Sequence, residues 1–206
     1  MNPQINVPGL TVNQLKDIYT GKIRNWQQVG GPNLAIIPYS RSAEDSGTVK
    51  FFVNSVLAGQ PLSAKVIKLV NSTTVGLGKI ATNPGGIYYA SAPEVVPQCS
   101  VRPLPLGLQA GNFISPYQKP FIALQSCHSQ RNKVNLKAFE KGFGDGQYPL
   151  TRYVSIIVKD FDGGNDIEEQ AGKAYANLLL TDEGQRLIEK VGFVPIRSTN
   201  KACPTR

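Results

Sequence analysis

Short apolar runs separated by segments of helical period are the feature that most limits how this chain can fold. Leu34-Ala35-Ile36-Ile37-Pro38-Tyr39, Val66 to Val70, Gly86-Ile87-Tyr88-Tyr89-Ala90 and Tyr153-Val154-Ser155-Ile156-Ile157-Val158 each read as a buried strand. Between them lie helix signals. Thr11 is an N-cap with Gln14 three residues on as a capping box, Leu10 and Leu15 form a hydrophobic staple, and Leu15, Ile18 and Tyr19 make an apolar face that Gly21 ends. Val49, Phe52, Val53, Val56 and Leu57 repeat at helical spacing up to Gly59, and Thr74 to Ala81 reads as a short helix. Farther on, Asn165 and Glu168 open a helix through Ile167, Ala171, Ala174 and Leu178. Thr181-Asp182-Glu183 opens another carrying Leu187, Ile188 and Val191 to a stop at Gly192, followed by an extended Phe193-Val194-Pro195-Ile196. Strand and helix in alternation predict an α/β fold.

The remaining segments are punctuation. Asn25-Trp26 and Gly30-Gly31-Pro32 mark a loop in which Trp26 packs, and Tyr88 and Tyr89 are the two faces of a strand. Residues 91 to 130 are Pro-rich and too long for an ordinary connection, which predicts a family-specific decoration or a surface excursion; Leu136 to Phe139 is a brief helix before the Gly-rich Gly142 to Gly146.

Composition excludes several classes. With 41% hydrophobic residues in 206, a core can form without staples. No apolar run approaches the roughly 20 residues of a membrane helix. The net charge of +8 is spread along the chain without a basic block, which argues against nucleic acid and for a general attraction to small anions. One histidine, His128, and three cysteines without paired spacing leave no metal motif, and no cofactor is expected. Cys99 and Cys127 both sit in polar, loop-like sequence, compatible with one bridge or with three reduced thiols including Cys203. Met1-Asn2-Pro3-Gln4 has neither the charged nor the apolar region of a signal peptide, and the first helix signal comes with no strand ahead of it, which reads as a fragment.

Chemistry concentrates in Arg41-Ser42-Ala43-Glu44-Asp45-Ser46-Gly47-Thr48, a polar octapeptide between a strand and a helix. The first amides of a helix lack intrahelical partners and carry the positive end of its dipole, so an oxyanion can accept from them. Gly47 admits a close approach, Ser46 and Thr48 add hydroxyls, and Arg41 offers a fork matched to tetrahedral oxyanions. Taken singly, Ser46 is equally a helix cap and Arg41 a surface residue. An enzyme with Ser46 as nucleophile is disfavoured, because Asp45-Ser46-Gly47 lacks the G-x-S-x-G elbow and His128 is the sole histidine.

The ordered set Gly9-Leu10-Thr11, Asp17-Ile18-Tyr19-Thr20-Gly21-Lys22-Ile23-Arg24-Asn25-Trp26, Val29-Gly30-Gly31-Pro32, Ser40-Arg41, Ser46-Gly47-Thr48 and Phe51-Phe52 resembles the phosphate-binding proteins of phosphate ABC transporters. These are the PstS-like members of the type II periplasmic binding proteins, and the resemblance implies their α/β fold with a mixed sheet flanked by helices. The similarity resumes at Pro84-Gly85-Gly86-Ile87-Tyr88-Tyr89 and at Tyr148-Pro149-Leu150-Thr151-Arg152, and runs on to Leu180-Thr181-Asp182-Glu183-Gly184-Gln185. The resemblance implies a non-catalytic, extracytoplasmic solute-binding domain, free or membrane-anchored, that binds inorganic phosphate through Arg41, Ser46, Gly47 and Thr48 and serves an ABC transporter permease. The alternative is a sensory or interaction module that kept the fold without transport.

In this chain Glu44 and Asp45 fill a position where the family has a glycine before the serine, lengthening the step from Arg41 to Ser46 by one residue. By the resemblance, residues 8–147 form the anion-binding second lobe and 148–206 a C-terminal segment belonging to the other lobe, with an N-terminal part of the first lobe missing and self-association expected from uncovered edges. Export further implies a disulfide between Cys99 and Cys127, with Cys203 free.

Overall fold

The structure is a computed structural model that describes residues 1–42, 44, 46–127, 129–140, 147–159 and 167–197. The chain forms two compact units, Met1–Thr151 and Arg152–Arg206.

In the first unit, β1 (Leu10–Thr11) leads into α1 (Val12–Tyr19) through the expected cap. The Gln14 amide donates to Thr11 Oγ1 at 3.1 Å and the Thr11 amide to Gln14 Oε1 at 2.9 Å, so two orphan donors are satisfied reciprocally. Leu15, Ile18 and Tyr19 face the core, and Gly21 ends the helix at φ +80°. The expected loop at Asn25-Trp26 is a 3-10 turn, Trp26–Val29, capped by Asn25. Trp26 is fully buried because its one polar atom is satisfied: Nε1 donates to the Gly85 carbonyl at 3.1 Å.

β2 (Ile37–Ser40) is the middle strand of a parallel three-stranded sheet, between β3 (Lys68–Leu69) and β4 (Gly86–Ile87). A proline in a central strand is ordinarily excluded because it cannot donate. Pro38 is tolerated by register. The Ile37 amide donates toward β4, to the Gly85 carbonyl at 3.0 Å, which turns the Pro38 nitrogen to the other side, and β3 begins pairing only at Tyr39, opposite Lys68. Between these strands run α2 (Gly47–Ser55) and α3 (Thr73–Thr82), so the local order is strand, helix, strand, helix, strand. The ladders among the described residues are parallel, and antiparallel contact is confined to isolated bridges such as Asn25 with Ala35. The fold is α/β with helices flanking parallel sheets.

Residues 91 to 130 differ from the expected surface excursion. They begin with α4 (Ala92–Val95) and send β5 (Leu106–Gly107) back to pair in parallel with β1, burying Leu106 in the main core. Val96, Tyr117 and Val134 form a satellite core of their own, and Cys99 is joined to Cys127 with Cα atoms 6.2 Å apart. Proline had masked this segment's apolar content. The brief helix expected at Leu136 to Phe139 is a 3-10 turn, Leu136–Ala138. Tyr148 packs against the main core and donates its hydroxyl to the Leu104 carbonyl at 3.1 Å, which ties residues 148–151 to the first unit.

The second unit contains α5 (Ile167–Leu180) and α6 (Asp182–Lys190). Thr181 caps α6 by accepting from the Gly184 amide at 3.0 Å, whereas Asn165, the expected cap of α5, lies outside the described residues. Buried Gln185 donates to the Leu179 carbonyl and accepts from the Ile196 amide, which fixes the closing segment against α6. The strand expected at 153–158 does not form. Tyr153 is 89% and Ile157 93% exposed, and no strand among the described residues pairs with them; β-branched residues favour strands only where a ladder and a covered face exist.

Candidate anion-binding site

The carboxyl end of β2 and the amino ends of α2 and α3 converge on one cavity of about 200 Å³, lined by Arg41, Ser46, Thr48, Thr73, Tyr88 and Glu94 among others. Ligand sites of open α/β sheets occur in this position, outside the carboxyl ends of parallel strands.

Arg41 is delivered by a locked residue. Ser40 is fully buried; its Oγ donates to the Arg41 carbonyl at 2.9 Å and shares a 2.6 Å hydrogen bond with the Tyr89 hydroxyl, while its own carbonyl accepts from the Val70 amide. The Arg41 backbone therefore leaves the sheet in a fixed direction. The start of α2 is seated by its buried face. Phe52 stacks on Tyr89 with ring centroids 3.8 Å apart and planes 3° from parallel, and Tyr19 meets Phe52 edge-on at 4.7 Å.

Ser46 is the N-cap residue of α2 with extended backbone, yet its side chain makes no capping bond. Thr11, Ser72 and Thr181 all spend their hydroxyls on the helices they begin. Ser46 instead lines the cavity, together with Thr48 two residues further on, and Gly47 lies between them as the first helical residue. Three of the four residues expected from the sequence thus flank one cavity, and the fourth connects them. Glu44 is exposed, and Asp45 lies outside the described residues.

Thr73, Tyr88 and Glu94 were not legible as site residues. Thr73 is the first residue of α3, after a Ser72 cap that accepts from the Val75 amide at 3.2 Å. Tyr88 follows β4 directly. Burial pushes its hydroxyl pKa up; the Thr73 hydrogen bond and the Arg41 charge oppose this, and the Glu94 carboxylate adds to it. Glu94 stands at the exposed rim, its carboxylate accepting from the Ser91 hydroxyl. Beneath them, burial raises Tyr89 to about 12 against the Ser40 hydrogen bond. The available sequence signal was a pair of glycines inside a helical segment, Gly78, which meets nothing, and Gly76, which meets Tyr88. A Cβ there would lie 2.8 Å from Tyr88 Cζ, so the missing side chain is what admits the tyrosine ring.

A cavity with a guanidinium, two hydroxyls at a helix amino end and a neutral phenol can hold a small oxyanion. Among the described residues no cluster of histidine, cysteine and carboxylate could hold a metal, and no helix is long and apolar enough to cross a membrane.

This architecture defines a class. Residues 2–183 match the family model of the PBP superfamily domain, and the chain belongs to that family. The fold is that of the type II periplasmic binding proteins. The chain is 22% identical over 200 residues to the phosphate-binding protein PstS of Borreliella burgdorferi, covering 96% of this chain and 62% of that protein. It is 34% identical over 89 residues to PstS of Bacillus subtilis, covering 43% of this chain and 29% of that one. Among solved structures, a protein of Clostridium perfringens described as a phosphate ABC transporter substrate-binding protein, with bound phosphate, superposes with a TM-score of 0.58 at 20% identity, over 96% of this chain and 67% of that one. An ABC-type phosphate transport receptor of Vibrio cholerae gives 0.55 at 22% identity, over 94% and 66%. The chain therefore spans about 62% of the length of the Borreliella relative.

Proposed function

We propose that this chain is the anion-binding part of an extracytoplasmic solute-binding protein that takes inorganic phosphate, or a similar tetrahedral oxyanion, for an ABC transporter. The observation that carries the reading is the convergence of Arg41, Ser46 and Thr48 on one cavity, with Ser46 released from its capping duty. The names of the relatives support phosphate as the ligand, and those of the similar solved structures support an ABC transporter as the partner. Arg41 supplies the charge and the fork, Ser46 and Thr48 the hydroxyls, and Gly47 the open backbone of the first helical turn. No chemistry is done on the ligand. Residues 8–147 act as the binding lobe and 148–206 belong to the companion lobe, the start of that segment being anchored on the first unit through Tyr148, and an oxidising compartment suits the Cys99–Cys127 bridge.

Arg41, Ser46 and Thr48 are half-buried, so each charge-assisted bond competes with water. Binding by this chain should be weak, with Kd of about 1 mM, equivalent to about 4 kcal/mol. Calorimetric titration of the 206-residue chain with inorganic phosphate at low salt tests the reading. Saturable binding that Arg41→Ala abolishes is expected; binding unchanged in that variant would refute it.

A further inference from the structure

The cavity has a wall that the octapeptide does not supply. Tyr88 leaves the end of β4 and lays its ring over Gly76 of α3, where any Cβ would stand 2.8 Å from Cζ and 2.9 Å from Cε1. Glycine in a helix interior costs about 1 kcal/mol relative to alanine, so its presence at Gly76 is explained by the ring it admits. The ring is held from its other side too: Tyr88 and Tyr89 lie nearly parallel, 18° apart with centroids at 5.9 Å, and Tyr89 in turn stacks on Phe52 of α2. Tyr88 is thereby fixed between the two helices whose amino ends meet at the cavity.

Its hydroxyl is placed by the ring, and Thr73, the first residue of α3, lines the cavity beside it. A phenol can donate as well as accept, and burial, which pushes the Tyr88 pKa up, keeps the proton on the oxygen. Tyr88, Thr73 and Arg41 line the same cavity, and the Arg41 charge is felt at the phenol oxygen.

We propose that Tyr88 is a further ligand-binding residue, its hydroxyl donating to the bound oxyanion, with Gly76 as the residue that admits and positions its ring. This rests on the oxyanion reading of the cavity. Tyr88 would add a neutral donor to a site otherwise built on Arg41 and the α2 hydroxyls, and its ring limits the space beside them. Small tetrahedral oxyanions fit that arrangement, and phosphate esters with a bulky substituent on the Tyr88 side do not.

The test is a low-salt calorimetric titration of the full chain and its variants with inorganic phosphate. Tyr88→Phe keeps the ring and its stacking and removes only the hydroxyl, so the fold is expected to persist; Kd for phosphate should rise about tenfold, as for loss of one hydrogen bond to a charged group. Gly76→Ala keeps the hydroxyl but displaces the ring, and should weaken binding in the same direction while the far-ultraviolet spectrum stays that of the parent. Arg41→Ala separates the two layers of the argument. If Arg41→Ala abolishes binding while Tyr88→Phe and Gly76→Ala bind as the parent does, the Tyr88 assignment is wrong and the oxyanion site stands. If Arg41→Ala binds as the parent does, or the parent does not bind phosphate at all, both are wrong.

Discussion

Ser40 and its neighbours show how a single buried residue can aim one that lines a cavity. Ser40 is fully buried and bonded to the Arg41 carbonyl, the Tyr89 hydroxyl and the Val70 amide, so the guanidinium begins from a rigid platform and not from a free loop. Ser40→Ala should leave the half-buried Tyr89 hydroxyl short of a partner, costing about 1 kcal/mol of stability, and should also weaken phosphate binding; denaturant titration and calorimetry measure the two effects. The same aromatic layer gives an alkaline signature. Tyr89 is raised to about 12, and Tyr19 and Tyr148 are also raised by burial, while unfolded tyrosines ionise near their ordinary value of 10.0. The folded state therefore holds protons that the unfolded state releases above pH 10, so stability from these groups is complete below pH 10 and falls as pH rises toward 12. Absorbance at 295 nm during alkaline titration should show part of the tyrosine signal appearing late and together with loss of ellipticity. Full ionisation near pH 10 in a folded protein would contradict this.

At the scale of elements, what could be read in advance follows from how local each signal is. Thr11 with Gln14, and Thr181 ahead of α6, declare helix starts through bonds spanning three residues, and both form as their sequences dictate. Arg41, Ser46 and Thr48 were legible for the same reason: one contiguous stretch between a strand and a helix brings them together. Tyr88 depends on the β2–β4 register and on a glycine twelve positions earlier in another element, and no local pattern records that. Strands suffer most. The run at 153–158 has strand composition but no ladder, and residues 106–107 pair with β1 inside a segment whose prolines suggested only loop. The Cys99–Cys127 bridge, with a separation of 28 residues, staples that segment. Chain entropy assigns such a loop about 3–4 kcal/mol, so reduction should lower the melting temperature by several degrees. Mass spectrometry of the unreduced, alkylated protein should find one reactive thiol per chain; three would contradict the pairing.

For the molecule as a whole, the division at Thr151 and Arg152 sets the mechanical expectation. The first unit carries the cavity and most of the buried apolar residues, whereas Tyr153, Val154 and Ile157 stand exposed just beyond it. Limited chymotrypsin digestion should cut first after Tyr153, releasing a stable fragment of residues 1–153, because an exposed aromatic outside any helix or strand is the most accessible bond for that protease. First cleavage within α1 to α3 would show that the first unit is not the stable body described.

The account depends most on the start of α2 being where the oxyanion is held. Amide proton shifts report hydrogen bonding to an anion directly, so the decisive measurement is a nitrogen-15 correlated NMR titration of the assigned chain with inorganic phosphate at low salt. The expected result is downfield movement of the Gly47 and Thr48 amides that saturates along one curve with the Arg41 side-chain signal, and its disappearance in Arg41→Ala. Saturating shifts centred elsewhere in the first unit, with Gly47 and Thr48 unmoved, would contradict it.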